Sequence, residues 1–153
     1  MSGPGPAGRA EPTMTAASAL AGPITDEDSA NFWAGTRRHE LRLQRCRACG
    51  QVRFPPMPRC PNCGSPDAAS ELAEPAGAVY SWITVHREMS GIKPDELPCT
   101  FVVVDLTAGC RMVGRFAGLW AGRIGDPVVA VPLDHEDWTE IRFAAADPSG
   151  ADS

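Results

Sequence analysis

The chain has 153 residues, 43% apolar and 22% charged, with a net charge of −5, enough for one or two small domains, and no run of eighteen apolar residues would cross a membrane. Fifteen Gly and fifteen Pro point to turns and short strands rather than long helices. The opening Met1 to Gly22 lacks a basic start followed by an apolar block, so it does not read as a secretory signal, and the expected location is the cytoplasm.

Residues 1–24 read as a disordered tail of small residues and prolines without apolar period. A short N-terminal helix is expected within 25–40. Thr25 would cap it, Asp26, Glu27 and Asp28 would favour its positive end, and it would stop near Gly35. Phe32 and Trp33 fall on this helix, either as packing residues or as an aromatic anchor for another protein. Glu40–Arg45 alternates and reads as a strand, and Gln51–Phe54 as its hairpin partner.

Between and after these strands lie Cys46-Arg-Ala-Cys49-Gly50 and Cys60-Pro-Asn-Cys63-Gly64. Two residues between cysteines let both sulfurs reach one ion, and the following glycine accepts positive φ as the chain turns under it. Two such turns supply the four sulfurs of a closed tetrahedral site, so Cys46, Cys49, Cys60 and Cys63 are expected to hold one structural zinc per chain. Paired disulfides suit an oxidising compartment, and a redox dithiol needs only one such motif. Iron is the rival metal for a sulfur-only site. The turns resemble those of rubredoxins, but a rubredoxin separates its turns more widely. The zinc ribbon is placed at 41–70, with Ser65 to Pro75 as a connector.

From Arg37 to Arg59 there are seven arginines against one acid, Glu40, whereas from Gly64 onward there are six basic and fourteen acidic residues. The arginines read either as a local offset to the net −2 of four thiolates on zinc or as a site for phosphates or an acidic partner.

A barrel domain is expected over 71–145. Its strands are Ala78–Arg87, Cys99–Leu106, Cys110–Phe116, Pro127–Pro132 and Trp138–Ala144, with Ile141 and Phe143 facing one way and Glu140 and Arg142 the other. The loop Glu88–Pro98 carries the chain's one lysine, Lys93. Cys99 and Cys110 are not opposite each other in their hairpin and read as buried core thiols rather than a disulfide. The fold class is mainly β: a short helix, a rubredoxin-like zinc ribbon, then a five-stranded OB-fold barrel, with a small β-sandwich as the alternative. Residues 146–153 read as a second disordered tail.

This architecture resembles the OB-fold, zinc-ribbon family of acyl-CoA-associated proteins. The matching residues are Phe32-Trp33, Leu41 to Arg45, the four cysteines, Phe54-Pro55-Pro56, Gly77 to Trp82, Gly114, and Ile124 to Val128. The resemblance covers about residues 25–144. It implies an accessory subunit of thiolase-like enzymes, either thiolases or lipid-transfer-protein-type aldolases that cleave acyl-CoA side chains, as in steroid breakdown. Some members are fused to, or act beside, MaoC-like hydratases, which makes such a hydratase a further candidate partner. The implied role is to stabilise the enzyme and help form the acyl-CoA site or channel. The segment after Phe143 departs from the family, whose members often have proline there.

The residues themselves name no catalytic machinery. A four-sulfur zinc has no open position for water. His39, His86 and His135 are scattered, and no nucleophile elbow or phosphate loop is present. Coenzyme A phosphates would suit the ribbon arginines, or Arg87 and Lys93, but no single coenzyme-binding residue stands out. The competing reading is a single-stranded nucleic-acid binder, since zinc ribbons and OB-folds both serve that role. The acidic barrel argues against it.

Overall fold

The structure, a computed structural model, describes residues 22–146. Of the two expected tails, residues 1–21 and 147–153 lie outside the described residues. Residues 22–26 have no regular structure, and Gly22 lies against the Trp138 indole.

Helix α1 spans Ala30–Arg37, so it begins later than the expected Thr25 start and runs past Gly35. Asp26 and Ser29 explain the late start. The Ser29 N–H donates to Asp26 Oδ1 at 2.7 Å, and the Asp26 N–H donates to Ser29 Oγ at 3.1 Å. These side chains offer the backbone a turn in place of a helical first turn, and Thr25 caps nothing. Gly35 is buried against the Arg42 stem, which keeps the helix intact through it. His39, at φ 60°, ends the segment in the left-handed conformation common after helices.

Strands β1 (Arg42–Cys46), β2 (Val52–Arg53) and β3 (Ala68–Leu72) form a three-stranded sheet in the order β2-β1-β3. β3 lies where a connector was expected. Its sequence, Ala-Ala-Ser-Glu-Leu, has no β-branched residue, and the free edge of β1 imposes its conformation. The pairing runs unbroken from Arg42 opposite Leu72 to Cys46 opposite Ala68, with Arg45 Nε on Glu71 at 2.7 Å.

Strands β4 (Ala76–Val85), β5 (Cys99–Leu106), β6 (Arg111–Arg115), β7 (Pro127–Asp134) and β8 (Thr139–Ala145) form one antiparallel sheet in the order β6-β5-β4-β7-β8. A bulge between Val79 and Ser81 bends β4. The two end strands meet through a parallel bridge from Phe116 to Phe143, and the Ala117 N–H donates to the Phe143 carbonyl at 2.7 Å. The result is a nearly closed five-stranded OB-fold barrel. Val79, Val102, Val104, Val128, Ile141 and Phe143 fill it, while Glu140 and Arg142 face outward and pair with each other. Phe32, Leu41 and Leu43 belong to the same core, so helix, ribbon and barrel pack as one body. Cys99 is buried as expected. Cys110 is not: it sits in the turn before β6, half-buried, because the strand starts one residue later. Both thiols are free.

Candidate functional site

The two Cys-x-x-Cys-Gly turns have matching geometry. In each, the glycine N–H donates to the carbonyl of the first cysteine at 2.8 Å, and the first cysteine's own N–H donates to the carbonyl of the residue after the glycine at 2.9 Å. Gly50 and Gly64 both sit at φ 78°, a conformation that few residues other than glycine adopt. Each turn is also gripped by the arginine before its first cysteine. Arg45 donates to the Gly50 carbonyl at 2.8 Å and Arg59 to the Gly64 carbonyl at 3.1 Å. The repeated Arg-Cys-x-x-Cys-Gly spelling carries this signal, which reading the cysteines alone misses.

The turns bring the sulfurs of Cys46, Cys49, Cys60 and Cys63 within 4.8 Å of one another. Cys46 and Cys63 are 3.6 Å apart, as are Cys49 and Cys60. Four sulfurs at about 2.3 Å from a tetrahedral zinc stand about 3.8 Å apart, so the cluster fits one structural zinc with little movement. The backbone prepares the sulfurs for it. The Cys49 N–H brings the Cys46 thiol down to about 6, against an opposing effect of burial. The Cys63 N–H lowers the Cys60 thiol in the same way. At Cys63 the Ser65 N–H pulls downward but is outweighed by the Cys46 sulfur, by burial and by the two other sulfurs, and the thiol is pushed up to about 11. Four crowded sulfurs cannot all ionise without a cation among them.

The ribbon arginines are mostly engaged within the protein. Arg38 and Arg42 hold Glu40, Arg47 faces Asp67 at 3.7 Å, and Arg53, only 3% exposed, donates to Gln44 and to the Met57 carbonyl. Arg37 donates to the Asp137 carbonyl. Local use thus accounts for them better than a phosphate site does. The histidines are dispersed too: His39 pairs with Asp134 at 2.9 Å, His135 pairs with Glu140 at 3.0 Å and stacks on Trp138, and His86 is exposed.

Phe32 is core, packed on Trp33 and Phe54. Trp33 is half-buried and meets Trp138 edge-on at 6.0 Å. These rings line a groove of about 530 Å³ on the barrel. One wall is β6 and the start of β8. The rest of the lining is Phe101 of β5, which lies between Ile83 of β4 and Arg115 of β6 in the sheet, with Val85 and the loop from Met89 to Ile92.

Comparison with known proteins agrees with this geometry. The family described as "ChsH2, rubredoxin-like zinc ribbon domain" matches residues 33–67, and "ChsH2, C-terminal OB-fold domain" matches residues 70–132. Among solved structures, a chain of the Ltp2-ChsH2(DUF35) aldolase superposes with a TM-score of 0.72 at 33% identity, over 82% of this chain and 99% of that one. A DUF35-family protein of unknown function from Sulfolobus solfataricus shares the fold, at 16% identity over 80% of this chain and 87% of that one, with a TM-score of 0.56. A probable enoyl-CoA hydratase alpha subunit from Thermomonospora curvata is 36% identical over 77% of this chain and 35% of its own length. The 3-oxo-4,17-pregnadiene-20-carboxyl-CoA hydratase alpha subunit of Mycobacterium tuberculosis is 33% identical over 79% of this chain and 39% of its own length. The chain therefore spans little more than a third of those two curated relatives. The paired zinc ribbon and OB-fold barrel, and the near-complete alignment with a chain of the Ltp2-ChsH2(DUF35) aldolase, show that this chain belongs to the ChsH2-type (DUF35) zinc-ribbon/OB-fold family.

Proposed function

We propose that the chain is a noncatalytic accessory subunit of a thiolase-like acyl-CoA enzyme, either a thiolase or a lipid-transfer-protein-type aldolase. In this reading it stabilises the enzyme and helps form its acyl-CoA site or channel, with a MaoC-like hydratase as a further partner. The observation that carries it is the match along 99% of a ChsH2 chain of an aldolase complex. The named hydratase alpha subunits, both acting on CoA thioesters by name, point to the same chemistry.

The site supports this division of labour. Cys46, Cys49, Cys60 and Cys63 are the zinc ligands, and with all four positions taken by sulfur the metal orders the ribbon without activating water. The three histidines meet carboxylates or solvent, and none has a nucleophile as its partner among the described residues. Functionally, the ribbon at 41–70 and the barrel at 71–145 form one docking body. Free thiols suit a reducing cytoplasm, and no helix among the described residues is long and apolar enough to cross a membrane.

A tagged copy recovered from its own cells tests the proposal. A thiolase-like enzyme should come with it in a defined ratio, and that enzyme should lose stability or turnover without it. Turnover of an acyl thioester by this chain alone would overturn the proposal. So would a chain that stays monomeric beside its neighbouring thiolase and leaves that enzyme unchanged.

A further inference from the structure

We propose that Arg53 and Gln44 are positioning residues of the zinc site: by clasping the linker at Met57 they set the two cysteine turns at metal spacing before zinc arrives. The inference rests on the four cysteines being the ligands, and it holds whichever enzyme the chain serves. The arginines before Cys46 and Cys60 shape each turn from within. The clasp acts between the turns.

The linker has little else to order it. Gln51 to Arg59 joins one turn to the other, and only Val52 and Arg53 of it are strand. Pro55, Pro56 and Pro58 have no N–H, so Met57 carries the one backbone donor between Phe54 and Arg59. That N–H donates to Gln44 Oε1 at 2.9 Å. The same oxygen accepts from Arg53 Nε at 2.8 Å, and Arg53 Nη2 donates to the Met57 carbonyl at 3.1 Å. These bonds close a circuit through Gln44, Arg53 and Met57, with both backbone groups of Met57 held.

The placing of the circuit gives it a hold on the metal site. Gln44 stands two residues before Cys46, and Met57 three before Cys60, so the entry to one turn is tied to the entry to the other. Gln44 and Arg53 are opposite each other across β1 and β2, and Gln44 and Cys46 project from the same face of β1. The clasp therefore lies on the side of the sheet from which Cys46 reaches the metal.

Packing alone does not explain Arg53. It is only 3% exposed, and both of its acceptors are neutral, so the guanidinium serves as a donor fork and not as half of an ion pair. Its Nη1 is buried without a partner among the described residues, which costs stability. A methionine would fill similar space without that cost. What arginine adds is a pair of directed bonds, set at a fixed angle by its planar fork.

The test reloads the zinc-free full chain in competition with a chromophoric chelator of known zinc affinity. Cobalt(II) serves as the spectroscopic probe of a tetrahedral four-sulfur site. Arg53→Met and Gln44→Leu are each expected to lower zinc affinity about 10- to 100-fold, as outer-shell losses do. The double variant should fall no more than about threefold below the weaker single variant, because the bonds act as one unit. Arg53→Lys, a point donor in place of a fork, should fall nearly as far as Arg53→Met. Gln44→Glu keeps an acceptor for both donors and should stay within about threefold of wild type. The four-sulfur cobalt spectrum should persist in every variant at saturation.

Unchanged zinc affinity in Arg53→Met and Gln44→Leu would overturn the proposal. So would a loss in Gln44→Glu as large as in Gln44→Leu, or full rescue by Arg53→Lys, which would make charge the operative property. Loss of the four-sulfur spectrum would report a collapsed ribbon rather than a loosened one, and would overturn it too. Should Arg53→Met not fold, the two Gln44 variants, at a half-buried position, decide by the same criteria. A wild-type chain that takes up no zinc would sink the ligand assignment and this proposal with it, whereas unchanged affinity in the variants sinks the clasp alone.

Discussion

A Cβ built on Gly114 would lie 2.9 Å from Cε2 of Phe143, so the missing side chain in β6 is the space that the Phe143 ring fills in β8. Phe143 is fully buried at the point where the two end strands meet. Gly114→Ala must push the ring aside and is expected to destabilise the barrel by about 1–3 kcal/mol. Pairing it with Phe143→Leu should recover part of that loss. Denaturant unfolding of the two single variants and the double variant measures both effects.

The arginine before each cysteine pair orients a turn of the metal site without touching the metal. Arg59→Leu removes the donor to the Gly64 carbonyl and leaves the four sulfurs in place. Outer-shell losses of this kind lower metal affinity by about 10- to 100-fold. Competition with a chelator of known zinc affinity should show that fall, with one zinc still bound at saturation.

Removal of a ligand sulfur acts more severely. A structural zinc contributes roughly 10–16 kcal/mol of apparent binding energy, more than three short strands gain by packing. Cys60→Ser is expected to lose the zinc, unfold the ribbon and abolish partner binding. The barrel should survive with a lower melting temperature, because Leu41 and Leu43 no longer complete its core. Metal content, amide dispersion and co-purification read the three effects separately, and full partner binding by the variant would contradict the expectation.

Asp134 joins the barrel to the end of the helix. Thr139 Oγ1 donates to it at 2.7 Å and His39 contacts it at 2.9 Å, and these two hold its carboxyl below the usual value, the Thr139 hydrogen bond contributing most. A carboxyl whose folded value is depressed contributes stability that is complete above the unfolded value, about 4, and lost as pH falls through the lower folded value. The melting temperature of the wild type should therefore drop on acidification below about pH 4. Asp134→Asn should be less stable at neutral pH and should flatten that drop. An unchanged acid limb in the variant would exclude the group as a contributor.

The metal site was legible because its chemistry is local: four cysteines at fixed spacing have few other uses. The five barrel strands were legible for a similar reason, since runs such as Val79–Val85 and Phe101–Val104 alternate or stay apolar in ways a helix does not explain. β3 was not legible, because Ala68–Leu72 has no strand propensity of its own and takes its shape from the edge of β1. The start of the helix was missed because Asp26 and Ser29 bond to each other's backbone, a competition that composition does not reveal. The groove was beyond reach for a different reason. Ile83, Val113, Trp33 and Ile141 come from four separate elements, and only the packing of helix on barrel brings them to one opening.

The placing of Gly22 against Trp138, and of Ala146 beyond the far end of β8, has a geometric consequence for fusion. The seven residues of β8 separate these two exits by about 23 Å. Residue 22 stands beside the residue that precedes β8, and residue 146 follows the last residue of that strand. In longer proteins built with this module, segments joined before residue 22 and after residue 146 would therefore attach near opposite ends of β8.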